Sequence, residues 1–275
     1  MERPERIAIL GGGNIGTAIA YGLVGSGRFR REQIIVTRRK IEMLRRLADE
    51  GFVVLSDNVE AVRRADIVVL SVLPQQVVGL LRRIKDSLSP KRHVIMSVVT
   101  GVSVSEIRKQ IGGDIPVVRV IPNTAIAICE SMTLLAADED SEAALATAKE
   151  IFDRVGATLL IDEEQAIPGT ALGACGVAFF LRAIRAASQG GIEVGFHPSE
   201  ALKIAAQTAK GAAALLMSAE DHPESEIDRV TTPRGCTIAG LNQMEHQGFS
   251  SAMIQGITTA AEKAALLYTG DDAKR

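Results

Sequence analysis

Short, continuously apolar runs alternate with longer helical patterns in the first half of the chain. The apolar runs are rich in Val and Ile, and they lie at residues 7–10, 34–37, 53–55, 67–72, 94–99 and 117–121. Runs that lack alternating polar positions are typical of strands buried on both faces of a parallel sheet. Because they alternate with helical segments, they predict an α/β domain with a doubly wound sheet and right-handed crossovers.

The helical pattern that follows the second apolar run shows how one of these helices is expected to pack. Over residues 39–50 the apolar positions Ile41, Leu44 and Leu47 fall on one helical face, and Gly51 follows as a stop signal. The pattern therefore predicts a single helix with one apolar face.

The composition of the sequence changes after about residue 162. Two more strand-like runs, 132–135 and 158–161, complete the first domain, and beyond them Ala replaces Val and Ile as the dominant apolar residue. The segments 199–219 and 251–267 have helical composition, because Ala, Leu, Gln, Lys and Glu are good helix formers. A small Ala-rich helical region has little bulky side-chain volume for a core of its own, so we expect it to pack against a second copy of the chain.

Composition and charge narrow the classes of protein further. The 275 residues carry 31 Lys and Arg against 33 Asp and Glu, and aromatic residues make up 3% with no Trp. A balanced charge and few aromatic rings argue against nucleic-acid binding. The N-terminal residues carry charges and precede no apolar leader, and no uncharged apolar stretch reaches the roughly 18 residues of a membrane span. The expectation is a cytoplasmic protein without a membrane segment.

Cysteine and histidine positions give no signal for a metal centre. Cys129, Cys175 and Cys236 lie far apart and form no Cys-x-x-Cys pair, and the four His residues show no ligand spacing. The pattern suits a reducing compartment. We therefore predict neither a metal site nor a disulfide framework.

A glycine-rich turn directly follows the first predicted strand. It reads G-x-G-x-x-G with Gly11, Gly13 and Gly16 as its glycines and Asn14 and Ile15 inside it, and an apolar helical stretch comes next. The first glycine permits the tight turn, the second lets the backbone approach a pyrophosphate, and the third lets the helix pack closely on the strand. The helix N-terminus then offers free N–H groups to the anion. This context predicts a dinucleotide-binding domain of the Rossmann type, against the alternative of a glycine loop that binds nothing.

The end of the second strand indicates which dinucleotide is bound. An NAD-dependent dehydrogenase places Asp or Glu there to hold the ribose 2′-hydroxyl, but this chain reads Thr37, Arg38, Arg39, Lys40. Arginines pair with phosphate through forked hydrogen bonds. We predict NADPH as the cofactor, with NADH as a weaker substitute. The alternative is that these cations are only the solvated start of the next helix.

The most specific segment lies late in the chain, over residues 228–245. It reads D-R-V-T-T-P-R-G-C-T-I-A-G-L-N-Q-M-E, and it closely resembles the signature of the pyrroline-5-carboxylate reductase family. Further motifs follow in the family's order at residues 70–75, 97–102, 119–124, 207–213 and 220–223, so the resemblance covers about residues 5–268. It implies cofactor contacts from Val72, Pro74, Val99, Gly101 and Asn123.

The resemblance implies a fold and a reaction as well. It indicates a Rossmann-type domain over 1–163 and an all-α dimerisation and substrate domain over 164–275, with the active site built across the dimer. The implied reaction is the NADPH-dependent reduction of 1-pyrroline-5-carboxylate to L-proline by hydride transfer to the imine carbon. The partners it implies are a small imino acid and a second copy of the chain.

Several residues are candidates for contact with the substrate. Thr237 is the candidate catalytic residue, because its hydroxyl can donate to the substrate or relay a proton to the ring nitrogen. The segment with Thr232, Gly235 and Cys236 is expected to bind the carboxylate, helped by a helix that begins near Ile238. The resemblance also places Glu220 and Cys175 near the substrate.

Each of these candidates has a plainer reading. Thr237 can act as a helix N-cap, Glu220 as a surface carboxylate, and Cys175 and Cys236 as small apolar fillers.

Four departures from the family pattern leave the substrate open. Residues 173–179 read G-A-C-G-V-A-F where the family has a stretch like S-G-S-G-P-A-Y, and Arg234 stands where the family has Gly. Leu73 replaces a Lys and Ala125 replaces a Pro. Two alternatives therefore stand beside proline synthesis: reduction of another small cyclic imino acid, and a catalytically weak nucleotide-binding paralogue with a regulatory or structural role.

Overall fold

The computed structural model describes residues 5–112, 114–219 and 222–267. The chain divides into two compact units, one formed by Met1–Cys175 with Thr259–Arg275 and the other by Gly176–Thr258. The functional domain boundary between residues 163 and 164 stays a prediction.

The first unit is built on one sheet of eight strands. They are β1 (Ile7–Leu10), β2 (Ile34–Thr37), β3 (Val53–Leu55), β4 (Ile67–Leu70), β5 (Val94–Ser97), β6 (Val117–Ile121), β7 (Ser131–Ala137) and β8 (Gly156–Leu160). Their order is β3-β2-β1-β4-β5-β6-β7-β8. All neighbours pair in parallel except β6 and β7, which are antiparallel. The predicted doubly wound α/β sheet is confirmed.

Helices cover the sheet of the first unit. They are α1 (Asn14–Gly25), α2 (Arg45–Asp49), α3 (Asn58–Arg64), α4 (Pro74–Ile84), α5 (Val104–Ile111), α6 (Glu142–Phe152) and α7 (Ala166–Gly169). Alternate residues of β1 enter two different buried clusters, with Ile7 and Ile9 in one and Ala8 and Leu10 in the other. Successive strand residues point to opposite faces. Burial on both faces therefore explains why the strands read as continuously apolar.

The structure differs from the sequence-based elements at a few ends. Strand β4 ends at Leu70 and β5 at Ser97, although the apolar runs continue to Val72 and Val99. A 3₁₀ turn over Ile41–Leu44 precedes α2, so the expected single helix is broken in two. Ile41, in the 3₁₀ turn, is 40% exposed, while Leu44 and Leu47 are buried.

The second unit is helical, as predicted. Its helices are α8 (Gly176–Glu193), α9 (Pro198–Ala219), α10 (Pro223–Arg229) and α11 (Cys236–His246), and α12 (Phe249–Ala265) begins in it. Small residues bring α8 and α9 close together, since a Cβ on Gly191 would lie 3.1 Å from the Ala201 Cβ. Large apolar side chains on these helices, including Phe180, Leu181 and Met217, are exposed.

Candidate active site

The turn between β1 and α1 forms a backbone cradle. Gly11 has a φ of 121°, and a Cβ there would lie 2.1 Å from the carbonyl oxygen of Ser71. A Cβ on Gly16 would lie 2.1 Å from the carbonyl oxygen of Gly11. A Cβ on Gly13, by contrast, would meet no other atom of the described residues within 4 Å beyond its own local backbone. Gly11 and Gly16 are therefore required by close packing, whereas the space over Gly13 is open to a ligand.

The first turn of α1 is suited to an anion. Gly13 is the N-cap of this 12-residue helix, and no side chain caps its N–H groups. Free N–H groups at a helix N-terminus attract phosphate. The residues of the cradle, including Asn14 and Ile15, thus fit the pyrophosphate of a dinucleotide.

The residues at the end of β2 divide into two kinds. Thr37 is buried, and its hydroxyl donates to Asn58 Oδ1 over 2.5 Å. Arg38 is half-buried and donates from Nη1 to the carbonyl oxygen of Gly12 over 2.7 Å, while Arg39 is exposed. Within the described residues, no carboxylate pairs with either arginine. Both guanidinium groups are therefore available to an anionic ligand, and Thr37 supports the loop from inside.

A cavity of about 230 Å³ lies at the carboxyl ends of β5 and β6. It is lined by Ile15, Ser97, Val98, Val99, Thr100, Arg119, Val120, Ile121, Pro122, Asn123, Thr124, Thr170 and Ala174. In open α/β sheets, ligands bind outside the carboxyl ends of the strands. The cavity thus joins three of the predicted cofactor residues, Ile15, Val99 and Asn123, in one place.

Asn123 connects two segments of the cavity wall. It is 6% exposed, its Oδ1 accepts from the Ala125 N–H over 3.0 Å, and its Nδ2 donates to the Gly173 carbonyl over 3.2 Å. Gly173 belongs to a π-helical turn over Thr170–Ala174, which follows α7. Such turns are frequent at functional sites. The Asn123 side chain therefore holds this turn against the end of β6.

Three further predicted cofactor residues, Val72, Pro74 and Gly101, lie outside the cavity lining. Val72 flanks the cradle, because a Cβ on Gly11 would lie 3.2 Å from its Cγ1. Pro74 is buried in the first turn of α4. Gly101 adopts a φ of 79° in the loop between β5 and α5.

Sequence reasoning missed three buried polar residues of the cavity, Ser97, Arg119 and Thr170. Arg119 lies on β6 with 4% of its surface exposed, and its Nη1 is 3.5 Å from Glu163 Oε1. Burial lowers the pKa of Arg119, and the Glu163 carboxylate opposes that effect. The available signal was a lone arginine in the apolar run V-V-R-V-I.

The predicted carboxylate loop lies between α10 and α11. Helix α11 begins at Cys236 rather than near Ile238, with Gly235 as its N-cap and without a side-chain cap. The Gly235 N–H donates to the Thr232 carbonyl over 2.9 Å, and a Cβ on Gly235 would lie 2.5 Å from Thr232 Oγ1. The N–H groups of this helix start are thus presented beside a hydroxyl and a tight glycine turn.

Thr237 is the second residue of α11 and is half-buried. Because Gly235 is the N-cap, the N-cap reading of Thr237 is wrong. Within the described part of the chain, the Thr237 hydroxyl is bound to no protein group. It is therefore free to bind a ligand.

The positions of the remaining predicted substrate residues give less information about a substrate site. Cys175 is half-buried and directly follows the π-helical turn, and Cys236 is exposed. Arg234 has a φ of 62°, a conformation that favours glycine. Glu220 lies outside the described residues. Among the described residues, no group of three or more His, Cys, Asp and Glu side chains is arranged to hold a metal ion.

Comparison with family models divides the chain in two. Residues 6–101 match a model described as NADP oxidoreductase coenzyme F420-dependent, and residues 163–267 match one described as pyrroline-5-carboxylate reductase dimerisation. The first match contains the cradle and the second contains the loop before α11. The second match also supports self-association of the chain.

Relatives match over nearly the whole chain. Pyrroline-5-carboxylate reductase 2 of Dictyostelium discoideum is 48% identical, and the alignment covers 96% of this chain and 93% of the relative. The chain belongs to the pyrroline-5-carboxylate reductase family. It is accordingly an oxidoreductase that uses a nicotinamide cofactor. Pyrroline-5-carboxylate reductase 1 of the same organism is 53% identical over 96% of this chain, which spans 50% of that relative's length.

Solved structures of the family share the fold. The pyrroline carboxylate reductase of Plasmodium falciparum with NADP bound superposes with a TM-score of 0.88 at 21% identity, covering 96% of this chain and 98% of the other. The enzyme from Streptococcus pyogenes gives a TM-score of 0.83 at 26% identity, covering 94% and 98%. The predicted fold class, a Rossmann-type domain followed by a helical dimerisation domain, is confirmed.

One helical stretch, Glu163–Glu193, is long and apolar enough on average to cross a membrane, although the sequence predicted no such segment. It contains Arg182 and Arg185 and lies inside the region that matches the dimerisation model. Its exposed apolar side chains, such as Phe180 and Leu181, are those expected of a face that packs against another protein surface.

Proposed function

We propose that the chain reduces 1-pyrroline-5-carboxylate to L-proline, with NADPH as the preferred hydride donor and NADH as a weaker one. The full-length similarity to pyrroline-5-carboxylate reductases carries this proposal, because it spans both the cradle and the loop before α11. In the balanced reaction, one hydride and one proton add across the C=N bond, and NADPH becomes NADP⁺. The bound cofactor supplies the hydride, and the protein supplies orientation and electrostatics.

The preference for NADPH rests on the cations at the end of β2. Arg38 is fixed by its bond to the Gly12 carbonyl, so its guanidinium lies next to the cradle that would hold the pyrophosphate. No acidic residue stands there to hold a ribose 2′-hydroxyl, and Arg39 and Lys40 follow immediately. Paired arginines bind a 2′-phosphate through charge-assisted hydrogen bonds.

The substrate carboxylate is assigned to the start of α11. Its uncapped N–H groups around Gly235 and Cys236, together with the Thr232 hydroxyl, form an anion site of the kind found at helix N-termini. The Thr237 hydroxyl donates to the substrate or relays a proton to its ring nitrogen. An imine nitrogen can arrive protonated, so this role demands no strongly acidic side chain. Cys175 and Glu220 stay as candidates for substrate contact.

A second candidate function follows from Arg234. This arginine holds the left-handed conformation that favours glycine, and it lies in the loop assigned to the carboxylate. Such strain is retained where the surrounding structure and function require it. An added cation there favours reduction of another small cyclic imino acid whose acidic group lies differently from that of pyrroline-5-carboxylate.

We also propose that the enzyme is cytoplasmic and forms a dimer or a higher oligomer. A face with several exposed apolar side chains on α8 and α9 supports association. A monodisperse monomer in light scattering at micromolar concentration would contradict it.

The experiment that tests the function measures NADPH oxidation by the purified protein with pyrroline-5-carboxylate and with a panel of other cyclic imino acids. Rescue of a proline-requiring strain by the expressed chain is the matching test in cells. Fast turnover of pyrroline-5-carboxylate with rescue supports the proposal. Turnover of other imines alone supports the second candidate, and NADPH binding without any turnover indicates a regulatory or structural paralogue.

A further inference from the structure

A single charged residue, Arg119, is found among the described residues that line the cavity at the carboxyl ends of β5 and β6. It lies opposite Ser97 in the register of β5 and β6, and both residues line the cavity. Its side chain is 5% exposed, although an arginine is rarely buried unless its charge is paired and its donors are bound. The position therefore calls for a partner.

The described protein groups satisfy the Arg119 guanidinium only in part. Glu163 Oε1 lies 3.5 Å from Arg119 Nη1, but the same oxygen accepts the Val104 N–H over 2.7 Å. The buried Nε of Arg119 has no hydrogen-bond acceptor among the described residues. Leaving such a donor unsatisfied is costly. What distinguishes Arg119 from the other arginines with an unsatisfied nitrogen is that it lines the cavity, where a ligand offers the guanidinium further acceptors.

The other buried polar side chains of the cavity are already engaged. Ser97 Oγ accepts from the Val99 N–H, the Thr170 hydroxyl donates to the Ala166 carbonyl, and the Asn123 amide bonds to Gly173 and Ala125. Of the four buried polar side chains, Arg119 alone has a polar atom, its Nε, that makes no hydrogen bond in the described part of the chain.

We propose that Arg119 binds the carboxamide of the nicotinamide ring and so fixes the ring in this cavity. The inference rests on the proposed function, because it takes the ligand to be NADPH. Ile15 of the cradle also lines the cavity, so a dinucleotide held by its pyrophosphate at the cradle reaches this space. The carboxamide oxygen is a neutral hydrogen-bond acceptor. The Glu163 carboxylate keeps the guanidinium charge balanced while the guanidinium donates to the ligand.

The test compares two probes on one set of variants. NADPH carries the nicotinamide, whereas 2′-phospho-ADP-ribose carries the same pyrophosphate and 2′-phosphate without it. Dissociation constants are measured by calorimetry for the wild type, for R119K, and for R119Q/E163Q, which removes both charges together. R108K is the matched control, because Arg108 is also a partly buried, ion-paired arginine but lines no part of the cavity.

We expect R119K and R119Q/E163Q to weaken NADPH about tenfold or more, since a hydrogen bond to a charged group is lost. Binding of 2′-phospho-ADP-ribose should stay within about twofold of the wild type, and R108K should change neither constant. The ratio of the two dissociation constants within one variant does not depend on the folded fraction. A variant that is partly unfolded therefore still shows whether the loss of affinity is specific to NADPH.

Three results would overturn the inference. Equal losses for both probes would mean a structural role for Arg119, and unchanged NADPH binding would mean no role in the cofactor site. In a parallel titration of the same variants with proline, a loss confined to proline would assign the guanidinium to the substrate carboxylate instead. A wild type that binds neither probe would refute the proposed cofactor itself, which separates that failure from a failure at Arg119.

Discussion

Arg38 donates from Nη1 to the carbonyl oxygen of Gly12 over 2.7 Å, and this bond ties the cationic end of β2 to the turn that follows β1. The bond orients one side of the guanidinium and leaves its other N–H groups to a ligand. The residue proposed to select NADPH is thus hydrogen-bonded to the backbone of the glycine-rich turn.

The Arg38→Ala substitution should discriminate between the two cofactors. We expect the Michaelis constant for NADPH to rise about tenfold or more, because a charge-assisted contact to the 2′-phosphate is removed, while that for NADH changes little. Steady-state kinetics with each cofactor measures the ratio. Arg45→Ala is the control, since Arg45 is an exposed arginine of α2 paired with Asp49. Equal effects on both cofactors would refute the assignment of NADPH.

Two glycines of the cradle should respond differently to alanine. In Gly16→Ala the new Cβ would lie 2.1 Å from the Gly11 carbonyl oxygen. We therefore expect the free energy of unfolding to fall by about 2 kcal/mol. In Gly13→Ala the Cβ meets no described residue within 4 Å apart from its own local backbone, so the free energy of unfolding should hold while NADPH binding weakens. Denaturant unfolding and cofactor titration measure the two effects. Destabilisation by Gly13→Ala, or tight NADPH binding by that variant, would contradict the cradle.

Removal of the Thr237 hydroxyl should affect turnover rather than cofactor binding. This hydroxyl makes no bond within the described protein, so Thr237→Ala removes no internal contact. We expect kcat to fall about tenfold or more, as for loss of a positioned proton donor, with the NADPH dissociation constant unchanged. Thr237→Ser keeps the hydroxyl and is the control. Wild-type turnover in Thr237→Ala would remove the residue from the mechanism.

His93 should make stability depend on pH. It is buried, its Nδ1 accepts the Ser89 N–H over 2.9 Å, and its Nε2 lies 3.2 Å from the Val62 carbonyl. Burial lowers the pKa of His93, so the unfolded chain binds a proton at a higher pH than the folded one. The contribution of His93 to the free energy of unfolding is therefore fully present above a pH of about 6.5, and it is lost progressively as the pH falls below that value.

The measurement is the urea unfolding free energy of the wild type and of His93→Gln between a pH of about 5 and 7. Glutamine keeps a donor and an acceptor but does not titrate, so the slope over this range should become flatter. His246→Gln, at an exposed histidine, serves as the control. An identical slope in the wild type and in His93→Gln would exclude His93 as the source.

Local patterns in the sequence were sufficient for the sheet but not for the walls of the site. Strands buried on both faces leave an unmistakable apolar run, as in β1, and the glycine turn after it has a fixed spacing. The break that exposes Ile41 depends on a 3₁₀ turn that periodicity does not register. The pairing of Arg119 with Glu163 joins residues far apart in sequence, so only the folded chain brings them together.

Transfer of the hydride to the imine carbon is the central claim, and isotopic labelling tests it most directly. The measurement uses NADPH that carries deuterium at the transferable C4 position of the nicotinamide, with pyrroline-5-carboxylate as the acceptor, and analyses the product by mass spectrometry and NMR. We predict proline that carries one deuterium at C5, the carbon of the former C=N bond. Proline without deuterium, or no proline at all, would contradict the account.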